Sequence, residues 1–80
     1  MATLRLFAAA REAAGTGQTH VAGATVADVL AGAVVSFGPG FQTVLQSCRI
    51  WVNGEQAEPS TAVTDNDEVA VLPPVSGGFE

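Results

Sequence analysis

Thr25-Val26-Ala27-Asp28-Val29-Leu30-Ala31-Gly32-Ala33-Val34-Val35-Ser36-Phe37-Gly38-Pro39-Gly40 is the stretch on which the fold turns. Thr25 and Asp28 stand three apart, the spacing of a capping box, in which a side-chain oxygen satisfies an amide the first helical turn leaves open. Val26, Val29, Leu30, Ala33, Val34 and Phe37 then recur at intervals of three and four, which gathers them into one apolar stripe. Gly38-Pro39-Gly40 ends the pattern, because proline cannot continue a helical ladder and glycine accepts the backbone angles that leave it. One main helix near 26–36, apolar on one side only, needs a sheet to lie against.

The sheet is legible on both sides of it. Upstream, residues 3–8 alternate, with Leu4 and Leu6 on one face and Arg5 and Phe7 on the other. Residues 9–14 are good helix formers halted by Gly15 and Gly17, and 18–21 resume as a strand. Downstream, 41–46 adds a further helical turn, and 48–52 is β-branched and aromatic enough for a strand. Asn53-Gly54 is a strong turn signal, 55–57 a short edge strand, and Pro59-Ser60 with Asp65-Asn66-Asp67 marks a looping return to a final strand at 68–72. Pro73-Pro74 forbids ladder hydrogen bonds.

Two strands, one helix and three further strands cannot make a doubly wound sheet. They suit an α+β roll, a mixed sheet packed on one main helix. The expected inward set is Leu4, Leu6, Val21, Ile50, Val52, Val69 and Val71, facing Val26, Val29, Leu30, Val34 and Phe37. Residues 1–74 form the domain, and 75–80 form a flexible C-terminal tail with nothing to anchor it.

Eighty residues hold one domain, and a chain 48% hydrophobic can fill one core but has little left to line an elaborate active site. Three arginines and no lysine against eight acids give −5, the wrong sign for a nucleic-acid partner. Cys48 is alone, so neither a disulfide nor a zinc cluster holds the fold, which fits a reducing, cytoplasmic setting. No segment approaches the ~20 apolar residues of a membrane span.

Four segments in order carry a family resemblance: Leu6-Phe7-Ala8-Ala9-Ala10-Arg11-Glu12-Ala13-Ala14-Gly15, Val52-Asn53-Gly54, the Asp65-to-Val69 approach to the last strand, and Pro73-Pro74-Val75-Ser76-Gly77-Gly78. On these the chain resembles the ubiquitin-like β-grasp sulfur carriers over its whole length, and within them the branch of the molybdopterin synthase small subunits. A terminal Gly-Gly alone is weak; with two prolines, a valine and a preceding strand in order it becomes specific. The resemblance implies that the Gly78 carboxylate is adenylated, with ATP, by an E1-like adenylyltransferase and converted to a thiocarboxylate with sulfur from a sulfurtransferase. Sulfur then passes to a pterin precursor in the large subunit of molybdopterin synthase, for molybdenum cofactor biosynthesis. No cofactor is permanently bound.

The tail suits that chemistry. Gly77 and Gly78 lack a Cβ, so the thread is thin enough for a partner's channel. Six residues beyond Pro74 span roughly 20 Å, enough to enter a neighbour while the body docks outside. Phe79 and Glu80 depart from the mature pattern, in which Gly78 is last, so the chain reads as a precursor from which a peptidase removes them.

A second feature is the sheet's outer face, where Phe7, Trp51, Ala70 and Leu72 share the parity opposite to the core and are edged by Arg5 and Arg49. An exposed tryptophan beside phenylalanine and leucine marks an interface. With Arg11, Pro73, Pro74 and Val75 these make the expected partner-binding set. His20 reads as a surface histidine and Cys48 as a half-buried strand residue. Asp65, Asp67 and Glu68 read as turn acids and not as metal ligands. No nucleophile–base pair or phosphate loop is present, so the protein is a carried substrate and not a catalyst by itself. A sulfur carrier for another pathway such as cysteine biosynthesis, a ubiquitin-like modifier joined through Gly78 to lysines, and a plain interaction domain remain as alternatives.

Overall fold

A computed structural model describes residues 1–73. Its order is β1 (Ala2–Leu6), α1 (Ala8–Ala14), β2 (Gln18–Val21), α2 (Val26–Phe37), α3 (Pro39–Leu45), β3 (Arg49–Val52), β4 (Glu55–Gln56) and β5 (Glu68–Leu72). The sheet runs β2-β1-β5-β3-β4. β5 lies parallel to β1 and antiparallel to β3, which makes the sheet mixed, as the element order requires. The termini of the domain therefore meet at its centre: the last strand fills the gap between the first and third.

Local chemistry explains the boundaries. Thr25 Oγ1 accepts from the Asp28 amide at 3.2 Å, closing half of the capping box. The Asp28 carboxylate reaches back to the Ala24 amide at 3.3 Å, one residue before the cap. The next two amides are satisfied from far along the chain, Val26 by the Thr61 carbonyl and Ala27 by that of Pro59, both at 2.9 Å. The looping return at 57–64 is thus the clamp on the start of α2, and Val63 within it is buried. Gly38-Pro39-Gly40 ends α2 as expected, but Pro39 also starts α3. A proline at the first helical position sacrifices only an amide that would be unpaired there anyway.

Leu4, Leu6, Val26, Val29, Val69 and Val71 are fully buried, as their parity and spacing require. Val21, Leu30, Val34, Phe37, Ile50 and Val52 are only partly buried and pack around them. Phe41, outside the expected inward set, is the largest side chain with no exposure, and Ala2, Ala10, Ala33 and Val63 complete the core. The helical layer is therefore α1, α2 and α3 together and not α2 alone: α3 packs against both others. Cys48 lies in the turn before β3 and not on the strand.

Asn53 does more than make a turn. It and Gly54 both take positive φ, 51° and 86°, the conformation an Asn-Gly hairpin turn demands. Its side chain then ties the hairpin to the loop entering β5, donating to Asp67 at 2.9 Å and accepting from the Glu68 amide at 2.9 Å. That bond, with those from the Thr64 amide and hydroxyl, holds the Asp67 carboxyl below its ordinary range. A depressed carboxyl stabilises the fold above its unfolded pKa, and that stability drains away as pH falls from about 4 through the folded value. Asp67→Asn should therefore lower the melting midpoint at neutral pH, where its amide would confront that of Asn53. Acidification should then close the gap to the native chain; a gap that stays constant into acid would contradict this role.

Candidate docking face and carboxyl end

Strand register assembles the outer face row by row. Arg5, Ala70, Trp51 and Gln56 form one row across β1, β5, β3 and β4, and Leu72 pairs with Arg49 in the next. Phe7 follows β1 at the same end, its amide donating to the Val71 carbonyl at 3.3 Å. Phe7 is exposed at 41%. Trp51, Ala70 and Leu72 are half-buried, since neighbours on one sheet face shield each other's flanks. Of the four side chains that parity puts on this face only Phe7 stands exposed; Trp51 is half-buried and not the exposed tryptophan expected, and the row lies at the end of β5.

The flanking charges differ. Arg5 donates through Nε to the Glu68 carboxylate, a same-face neighbour because Glu68 stands opposite Thr3. The sequence already held this pair, but only the parallel β1–β5 register places the two together. Arg49 is exposed and forms no ion pair among the described residues. Arg11 is exposed on α1, and its side chain lies along Gly17, where an added Cβ would stand 3.2 Å from its Nε. Gly17 accepts from Leu6 on the β2 side of β1, so Arg11 is not brought together with Trp51 and Leu72. Pro73 is half-buried immediately after Leu72. Pro74, Val75, Gly77, Gly78, Phe79 and Glu80 lie outside the described residues.

The remaining candidates have structural occupations. Asp65 pairs with the Met1 amino group, Asp67 with Asn53 and Thr64, and Glu68 with Arg5. No group of three metal-ligating side chains occurs among the described residues. Cys48 donates to the Val44 carbonyl at 3.2 Å, and burial pushes its thiol up, away from the thiolate a sulfur relay would need. His20, exposed on β2, lies with its Nδ1 3.4 Å from the Thr3 hydroxyl. No helix of the described residues is long and apolar enough to cross a membrane.

A mixed five-stranded sheet with its helices on one face, a half-buried apolar row on the other and the last strand, β5, at its centre defines a β-grasp, ubiquitin-like protein. Comparison with known proteins agrees, and the match is one of sequence as well as shape. The chain belongs to the ThiS family, which it matches over residues 4–78. It is 36% identical over 77 residues to the molybdopterin synthase sulfur carrier subunit of Chlamydomonas reinhardtii, covering 90% of this chain and 92% of that one. It is 33% identical to small archaeal modifier protein 1 from Methanosarcina acetivorans, whose solution structure superposes with a TM-score of 0.87 over 96% of this chain and 95% of that one. One chain in the complex of subunits 1 and 2 of molybdopterin-converting factor from Helicobacter pylori shares the fold, at 22% identity and a TM-score of 0.71 over 96% of this chain and 97% of that one.

Proposed function

We propose that this chain is the sulfur carrier of molybdopterin synthase, a cytoplasmic protein whose Gly78 carboxylate is adenylated and thiocarboxylated and then donates sulfur in molybdenum cofactor biosynthesis. The observation that carries the reading is the coincidence of two features: the family match closes on Gly78, and the apolar row lies at the end of β5, the last strand before it in the sequence. ATP is consumed by the activating enzyme, and this chain holds no cofactor of its own. Its partners are an E1-like adenylyltransferase, the large synthase subunit, a sulfurtransferase and a peptidase that removes Phe79 and Glu80. Residues 1–74 act as the docking body and 75–80 as the working tail.

One small domain with one apolar face must offer it to the activating enzyme and the synthase in turn. Leu72→Asp or Phe7→Asp should weaken both complexes by roughly tenfold or more, the size of losing an interface anchor. The melting curve should hold, because neither side chain belongs to the core. Titration calorimetry against each partner measures this, and unchanged affinity for both would reject the face. The 33% identity to an archaeal modifier favours one second reading, attachment of Gly78 to lysines of other proteins. Mass analysis of the protein from its native cell separates the two: a carrier ends in a thiocarboxylate, whereas a modifier appears in isopeptide adducts.

A further inference from the structure

The docking face presents two arginines, and the sheet commits only one of them. Arg5 is held by Glu68. Arg49 stands opposite Leu72 on one side, while β4 on the other side begins its pairing at Trp51 and stops short of it. Its guanidinium is exposed beside the apolar row, without a carboxylate among the described residues, in a chain with eight acids against three arginines. Covering that face with a partner strips water from a charge that has no carboxylate acceptor among the described residues, and such burial is unfavourable unless the partner supplies one.

We infer that Arg49 reads charge on the docking face: it fits a partner whose apolar seat for Trp51 and Leu72 carries a carboxylate against the guanidinium. The occupant is the large synthase subunit, so the inference rests on the sulfur-carrier reading. A guanidinium accepts a carboxylate through two parallel hydrogen bonds, which fixes orientation as well as attraction. The rest of this chain is net acidic, so a partner carboxylate is repelled almost anywhere else on it. One matched pair beside the exit of β5 therefore sets the rotation of the body on its partner and aims the chain end.

The test is binding of the full chain, and of a chain ending at Gly78, to the large subunit at low and high salt. Arg49→Leu adds apolar surface where a carboxylate is expected, so it should weaken the complex roughly tenfold at low salt and flatten the dependence on salt. Arg49→Lys keeps the charge but loses the fork, and should fall between the two. Arg5→Leu should change affinity less, since Arg5 is already engaged. Equal or tighter binding by Arg49→Leu with an unchanged salt slope overturns the inference and leaves the carrier reading standing. Failure of both unsubstituted chains to bind the large subunit overturns both.

Discussion

Protein ending at Glu80 is expected to be inert with its E1-like enzyme and ATP, whereas protein ending at Gly78 accepts AMP and then sulfur. Adenylation and sulfur transfer both act on a chain-terminal carboxylate, so no side chain can stand in for it. The Glu80 carboxylate is a poor substitute, because Phe79 would have to pass through a channel suited to glycine. The contrast is close to all or none and is read by mass: loss of Phe and Glu, then replacement of one oxygen by sulfur. The family match stops at Gly78, which supports placing the reacting carbon there. Protein recovered from the native cell with Glu80 in place and sulfur transfer intact would show that no processing is needed. A Gly78→Ala chain ending at residue 78 should also lose most of its transfer, since a Cβ widens the thread at its tip.

The parts of the fold legible in the sequence are those where one short-range rule decides the outcome. Alternation fixed Leu4, Leu6, Val69 and Val71 on the inner face, and the Thr25–Asp28 spacing placed the start of α2. The outer face was legible for the same reason, because parity that buries Val69 and Val71 turns Ala70 and Leu72 outward. Contacts that depend on where distant segments meet were not. The Thr61 and Pro59 carbonyls that complete the α2 amides lie some thirty residues away in a loop with no periodicity. Arg11 shows the limit at the site: its segment matches the family, yet its side chain follows Gly17 toward β2 and away from Trp51. Arg5 and Arg49 look alike as edge cations until the register gives Glu68 to one of them.

Phe41 was the residue least legible and carries the second large expectation. Its helix is seven residues long, too short for periodicity to declare a buried face. Yet Phe41 has no exposure and meets the Phe37 ring edge-on, with centroids 5.2 Å apart and planes at 61°. It sits in the layer where α3 supports both α1 and α2. Phe41→Ala should cost about 3–5 kcal/mol, the usual loss for a buried phenylalanine with incomplete collapse of the space. A domain of this length commands about 4–12 kcal/mol in all, so the variant should sit near its unfolding threshold at room temperature. Phe41→Leu, which keeps most of the volume, should lose far less. Urea titration measures both, and a loss under about 1 kcal/mol for Phe41→Ala would mean that α3 does not hold the helical layer together. Trp51 and Leu72 lie on the opposite face of the sheet, so the fraction still folded in the cold should bind its partners with affinity within a few-fold of the native chain. Stability and docking would then separate cleanly, one governed by the helical face of the sheet and the other by the outer one.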